Sequence, residues 1–136
     1  GVAVSIVRQF DPGLVCDVIQ RDRPSLLTLT PTMIQMLLDH PKAEATDFSS
    51  IRLTLYAGSA ISLGLIKRAI ARMPGKFMQF YGATEAGGAF SILRPDEHDL
   101  DNEAHQNQNS PQVAHQKKIV EQPSGVPATL IACNRD

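Results

Sequence analysis

Tyr81, Gly82, Thr84 and Glu85 set an aromatic ring, a permissive glycine, a hydroxyl and a carboxylate within five positions. Those are the groups that hold a nucleotide. The ring offers a flat face to a base, and glycine lets backbone come close. The hydroxyl can donate to a phosphate oxygen. The carboxylate suits magnesium, which prefers carboxylate oxygen together with substrate phosphates and water. The same residue types have a plainer use: a Tyr-Gly pair turns a chain after a strand, and a Thr-Glu pair starts a helix as part of a cap. Spacing alone leaves both readings open. The common nucleotide and hydrolase signatures are missing. No GxGxxG occurs; Gly58 and Gly64 are one residue too far apart for GxxxxGK[ST], and Leu65 stands where lysine would. No GxSxG elbow exists either.

Two strand ends, side by side, are needed to position such groups. Lys76-Phe77-Met78-Gln79-Phe80 reads as a buried strand leading into Tyr81. Leu53-Thr54-Leu55-Tyr56-Ala57 reads as another, with Gly58-Ser59-Ala60 as the turn at its carboxyl end. In an open α/β sheet, ligands bind outside the carboxyl ends of the strands. Glycine at position 58 would remove a side chain that blocks a flat ring.

The rest of the chain alternates in the same way. Residues 2–7 and 25–29 read as strands. Asp11-Pro12 and Thr30-Pro31 each look like an N-cap followed by proline at the first helical position. Leu14, Val15, Val18 and Ile19 then recur at helical spacing, as do Met33, Ile34, Leu37 and Leu38. Residues 42–50 read as a polar loop. Ser62 can cap a helix burying Leu63, Ile66, Ala69, Ile70 and Met73, with Lys67, Arg68 and Arg72 on a solvated side. Ala89 to Leu93 reads as a fifth strand. The strands are near-continuous apolar runs, so the expected class is α/β, a mostly parallel sheet flanked by helices.

Composition fits one domain: 136 residues, 43% of them hydrophobic, with a formal charge of −1. That charge gives no reason to expect a nucleic-acid partner, and no apolar run is long enough for a transmembrane helix. Cys16 and Cys133 are too far apart to suggest a metal site, and a reducing, cytoplasmic setting fits. His40, His98, His105 and His115 share no ligand spacing. Nine of the fifteen residues from Asn102 to Gln116 are Asn, Gln or His. Residues 102–136 are therefore read as a disordered tail. Its one apolar run, ending Ala128-Thr129-Leu130-Ile131, could be a strand but has no evident partner.

Tyr81 to Gly87, YGATEAG, resembles the YGxTE motif of the adenylate-forming (AMP-binding) superfamily, in particular its acyl-CoA synthetases. The likeness extends along residues 2–101. Phe10 to Pro41 resembles the family's helix–strand segment ending in a Pro-Thr-Met helix start. Asp47-Phe48-Ser49-Ser50-Ile51-Arg52 resembles its Asp-Leu-Ser-Ser-Leu-Arg lead-in. Tyr56 to Ile61 sits where the family has Gly-Gly-Ala-Pro-Leu, and Arg94 to His98 is similar to its Pro-Glu-Asp-His segment.

The resemblance implies an enzyme that joins a carboxylic acid to the α-phosphate of ATP, with Mg2+, and then passes the acyl group to coenzyme A. By that resemblance Tyr81 packs on adenine, and Gly58, Ser59 and Ala60 lie along the adenine or acyl pocket. Gly82 permits the turn, Thr84 contacts the α-phosphate, and Glu85 binds magnesium. Ala86 and Gly87 border the acyl tunnel. Residues 1–101 are then a partial adenylation domain.

Departures from the family are plain. The glycine- and Ser/Thr-rich phosphate loop, the ribose-binding Thr-Gly-Asp and the C-terminal catalytic-lysine domain have no counterpart. The sequence starts without Met, and the expectation is an internal fragment of an acyl-CoA synthetase from a truncated or frameshifted gene. A fragment of this kind is expected to be inactive alone. Two alternatives stand beside it: an adenylation domain that loads a carrier-protein thiol, and a non-catalytic α/β interaction module.

Overall fold

The structure is a computed structural model; it describes residues 3–84, 87–98, 100, 101 and, as backbone, 129–133. Strands β1 (Ala3–Val7), β2 (Leu26–Leu29), β3 (Leu53–Tyr56), β4 (Lys76–Ala83), β5 (Gly88–Leu93) and β6 (Thr129–Cys133) form one sheet. Their order across it is β1-β6-β2-β3-β4-β5. Helices α1 (Pro12–Asp22), α2 (Pro31–Asp39), α3 (Lys42–Ala45) and α4 (Leu63–Arg72) fill the connections. β2, β3 and β4 pair in parallel. β6 is antiparallel to both β1 and β2, so β1 shares their direction. Four strands thus run one way, as the alternating pattern predicts.

The helices begin where the sequence says. The Asp11 carboxylate accepts from the Leu14 N–H at 2.7 Å, the Thr30 hydroxyl from Met33 at 3.2 Å and the Ser62 hydroxyl from Leu65 at 3.3 Å. Each satisfies one of the amide donors that a helix start leaves without an intrahelical partner. Residues 42–50 are less loop-like than read, since α3 forms there. Arg72 is not a solvated bystander. Its Nη2 donates to the carbonyls of Ala43, Glu44 and Thr46, and its guanidinium carbon lies 5.3 Å from the centroid of the Phe48 ring.

One sheet face is buried. Leu27, Thr54 and Phe77 share a row, and so do Leu29, Tyr56 and Gln79. All six are buried. The apolar ones join a single core with Val15, Ile19, Ile34, Leu37, Ile66 and Ala69 from the helices. The other face carries half-buried Leu26, Leu53, Leu55, Met78 and Phe80. Among the described residues, then, the helices bury one side of the sheet, where continuous apolar strands predict two.

The run with no evident partner has two: β6 is hydrogen-bonded between β1 and β2. Nothing local announces a pairing with strands more than a hundred residues earlier. The rest of the tail reading, residues 102–128 and 134–136, lies outside the described residues. No helix among the described residues is long and apolar enough to cross a membrane.

Candidate functional site

β3 and β4 are neighbours in register, Leu53 opposite Lys76 and Tyr56 opposite Gln79. β4 continues to Ala83, so its last residues run past the turn at the end of β3. Tyr81, Gly82 and Ala83 are therefore strand, where the sequence reads a turn. They pair with β5 in an antiparallel hairpin, and the register slips between Tyr81 and Gly82. Such a bulge bends the strand and re-aims the side chains beyond it.

The result is a cavity of about 360 Å³ between the turn and the hairpin. Ala57 and Gly58 line it from one side, and Phe80, Tyr81, Gly82 and Thr84 from the other. Among the described residues, none that lines it carries a charge. The volume lies near the low end of small-molecule pockets, roughly 300–1,000 Å³. An uncharged slot with a hydroxyl at its end suits the flat, apolar end of a nucleotide better than its phosphates.

Gly58 has φ of 91°. A Cβ there would meet only Thr30 Cγ2, at the ordinary distance of 3.6 Å. Backbone conformation by itself favours glycine at this position. Gly82 has a different reason again. It does not make the turn; a Cβ there would collide with the Gly88 carbonyl and the Ala89 Cα across the hairpin. Tyr81 is 9% exposed, sits on the helix-covered face and is among the residues lining the cavity. Thr84 is exposed at the hairpin end, and its carbonyl accepts from the Gly87 N–H at 3.1 Å.

Gly58, Tyr81, Gly82 and Thr84 thus come together. Ser59, Ala60 and Gly87 are exposed and do not line the cavity. Glu85 and Ala86 lie outside the described residues, so the magnesium and acyl-tunnel assignments rest on sequence. Among the described residues no three His, Cys, Asp or Glu side chains form a metal-binding group.

Sequence reasoning passed over Gln79. It is 6% exposed, and its Nε2 donates to the Ser59 carbonyl at 3.4 Å. That contact ties the Gly58 turn to β4. The signal was present: an amide inside an apolar run must find a partner once buried.

The chain matches the AMP-binding enzyme family over residues 1–128. It is similar to the medium/long-chain-fatty-acid–CoA ligase FadD8 of Mycobacterium tuberculosis, 34% identical over 99 residues, 73% of this chain and 17% of that one. It is also similar to the fatty acid–[acyl-carrier-protein] ligase ScoC of Streptomyces coeruleorubidus, 34% identical over 98 residues, 72% of this chain and 19% of that one. Among solved structures, the amide bond synthetase McbA of Marinactinospora thermotolerans aligns with a TM-score of 0.62 at 29% identity, over 74% of this chain and 20% of that one. The chain spans under a fifth of the length of these curated relatives.

Proposed function

The chain belongs to the AMP-binding enzyme family, and on that premise we propose that its cleft takes the adenylate end of ATP in an acid–thiol ligase of acyl-CoA synthetase type. One observation carries the reading: two neighbouring parallel strands lead into the Gly58 turn and the Tyr81–Thr84 segment, which line one cavity whose described lining carries no charge. The relatives' names, a fatty-acid–CoA ligase among them, support the reaction class.

In that reaction a carboxylate oxygen attacks the α-phosphorus of ATP, an acyl–phosphate bond forms, and pyrophosphate leaves. The thiol sulfur of coenzyme A then attacks the acyl carbon, a thioester forms, and AMP departs. Two anions must meet in the first step, so the catalytic problem is charge. Tyr81 and Gly58 hold the base, and Ser59 and Ala60 follow Gly58 just outside the cavity lining. Gly82 keeps the hairpin close enough to present Thr84. The Thr84 hydroxyl donates to the α-phosphate as its charge develops. Glu85 would hold magnesium, which supplies Lewis-acid neutralisation of the phosphates when bound. Ala86 and Gly87 leave room for the acyl chain. The sequence holds no glycine- and Ser/Thr-rich phosphate loop, so this chain alone binds ATP weakly and turns nothing over.

The test is an AMP titration followed by amide NMR. Shifts concentrated at residues 57, 58 and 80–84 are the expected result. No change at millimolar AMP, or shifts scattered over the helices, would count against the site. A second reading is favoured by ScoC, whose name gives a carrier protein as acceptor. Offering the parent enzyme coenzyme A and a carrier-protein thiol in parallel separates the two.

A further inference from the structure

Spacing gives His98 no ligand partner, but the structure packs it against Tyr56 of β3. Its Nε2 lies 2.9 Å from the Tyr56 hydroxyl and its Nδ1 2.8 Å from the Arg94 carbonyl oxygen. The two rings are 5.9 Å apart and tilted by 57°. A carbonyl only accepts, so Nδ1 carries the proton. Nε2 is then the acceptor, and the Tyr56 hydroxyl donates to it. Tyr56 is 1% exposed and is the last residue of β3. The next two residues, Ala57 and Gly58, line the cavity.

We propose that His98 is a positioning residue for this cleft: as a neutral imidazole it holds Tyr56 and so fixes the end of β3 and the Gly58 turn, and its protonation releases that hold and weakens nucleoside binding. The proposal rests on the nucleotide reading of the cleft. A protonated ring has two donors and no acceptor. The Tyr56 hydroxyl could then only accept from Nε2, and its own hydrogen would have to leave the imidazole for another acceptor.

The surroundings keep the ring neutral. Burial lowers the His98 pKa below the usual 6.5, against the raising pull of the Arg94 and Pro95 carbonyls and the Glu97 charge. Lys76 from β4 and Asp96 from the turn share a second cavity with it, of about 480 Å³, and α4 contributes only Ile70 there. Burial raises the pKa of Tyr56, so it stays a hydroxyl donor throughout. An unfolded His98 takes up its proton near pH 6.5, and the folded one does so at lower pH. Stability from this group is therefore whole above about pH 6.5 and declines below it until the folded ring protonates.

Adenosine is the probe for the test, because the phosphate of AMP itself titrates near pH 6. Its affinity is measured by NMR on the full chain between about pH 8 and pH 5, and His98 is monitored by long-range proton–nitrogen correlation. The expected results are an Nδ1–H tautomer and wild-type affinity that falls roughly three- to tenfold across the range. His98→Gln, whose amide can donate to Arg94 and accept from Tyr56, should restore binding at pH 8 and abolish the pH dependence. His98→Phe and Tyr56→Phe should bind weakly at every pH. The same pH dependence in His98→Gln, or full affinity in Tyr56→Phe, overturns the proposal. Absence of adenosine binding at any pH overturns the nucleotide reading instead. In that case the Gly58 amide shift in His98→Phe still reports the strut: displaced from wild type supports it, and unmoved refutes it.

Discussion

Gly58 and Gly82 line the same cavity for unlike reasons, and the difference is measurable. Alanine at Gly58 meets no obstacle, so the expected loss is the strain of a left-handed L-residue, about 1–2 kcal/mol. Alanine at Gly82 drives a methyl into the opposing strand and must open the hairpin. Overpacking of that kind costs about 1–3 kcal/mol and should also perturb amide shifts along β5. Urea unfolding of both variants checks the order. Thr84→Ala should behave in the opposite way. The site is exposed, so stability should stay within about 0.5 kcal/mol of wild type. Pyrophosphate exchange by a full-length family member carrying the equivalent substitution should fall on the order of 10²-fold if the hydroxyl meets the transition state. Equal losses of stability and activity would defeat the assignment. Asp47 belongs to a stretch that resembles the family, yet its work is structural. It accepts from Arg23 Nη1 at 2.7 Å and from the Ser49 amide at 2.9 Å. The Arg23 hydrogen bond, followed by those from Ser49, holds its carboxyl well below the usual 3.8. A depressed pKa means stability that is present above about pH 3.8 and lost as pH falls below it. Asp47→Asn should therefore flatten the acid limb of the stability profile, by a small, salt-sensitive amount for so exposed a pair. The residue types were legible in the sequence. Their reasons were not, because a torsion angle or a carbonyl across a hairpin is set by distant chain.

Caps, by contrast, are local, and all three helix starts announced by Asp11, Thr30 and Ser62 stand where the sequence puts them. What the pattern missed is interaction between elements. α3 is one turn long, and the Thr46 N–H closes it by donating to the Ala43 carbonyl at 3.3 Å. Arg72, from the end of α4, adds a charged donor by reaching Ala43, Glu44 and Thr46 while covering Phe48. Arg72→Ala should destabilise the chain by about 1–3 kcal/mol, since three carbonyls lose a charged donor and Phe48 loses its cover. Arg72→Lys should recover only part of that, because an ammonium lacks the planar fork and the stacking surface. Thermal or urea unfolding distinguishes the three proteins. Full recovery by lysine would reduce the contact to simple charge. β4 shows the same limit. Its extension to Ala83 depends on pairing with β5, and the local Tyr-Gly signal points to a turn.

For the molecule as a whole, the apolar runs encode a sheet with two covered faces, and the described helices supply one cover. Val4, Ile6 and Ile92 are 49%, 65% and 50% exposed, on the side opposite the helices. Register sets Ile92 opposite half-buried Phe80, and Leu26 and Leu55 continue the same face inward. Exposed apolar side chains gathered on one sheet face invite association. The expected behaviour of the isolated chain is concentration-dependent self-association in sedimentation velocity, together with binding of a hydrophobic dye under native conditions. Threonine keeps the β-branched shape that strands favour while adding a hydroxyl. The double variant Ile6→Thr, Ile92→Thr should therefore reduce both signals and leave the circular dichroism spectrum unchanged. If association persists undiminished in that variant, the open face is not its cause. If the spectrum collapses with it, those two side chains hold the sheet together, and the description of a face awaiting cover is wrong.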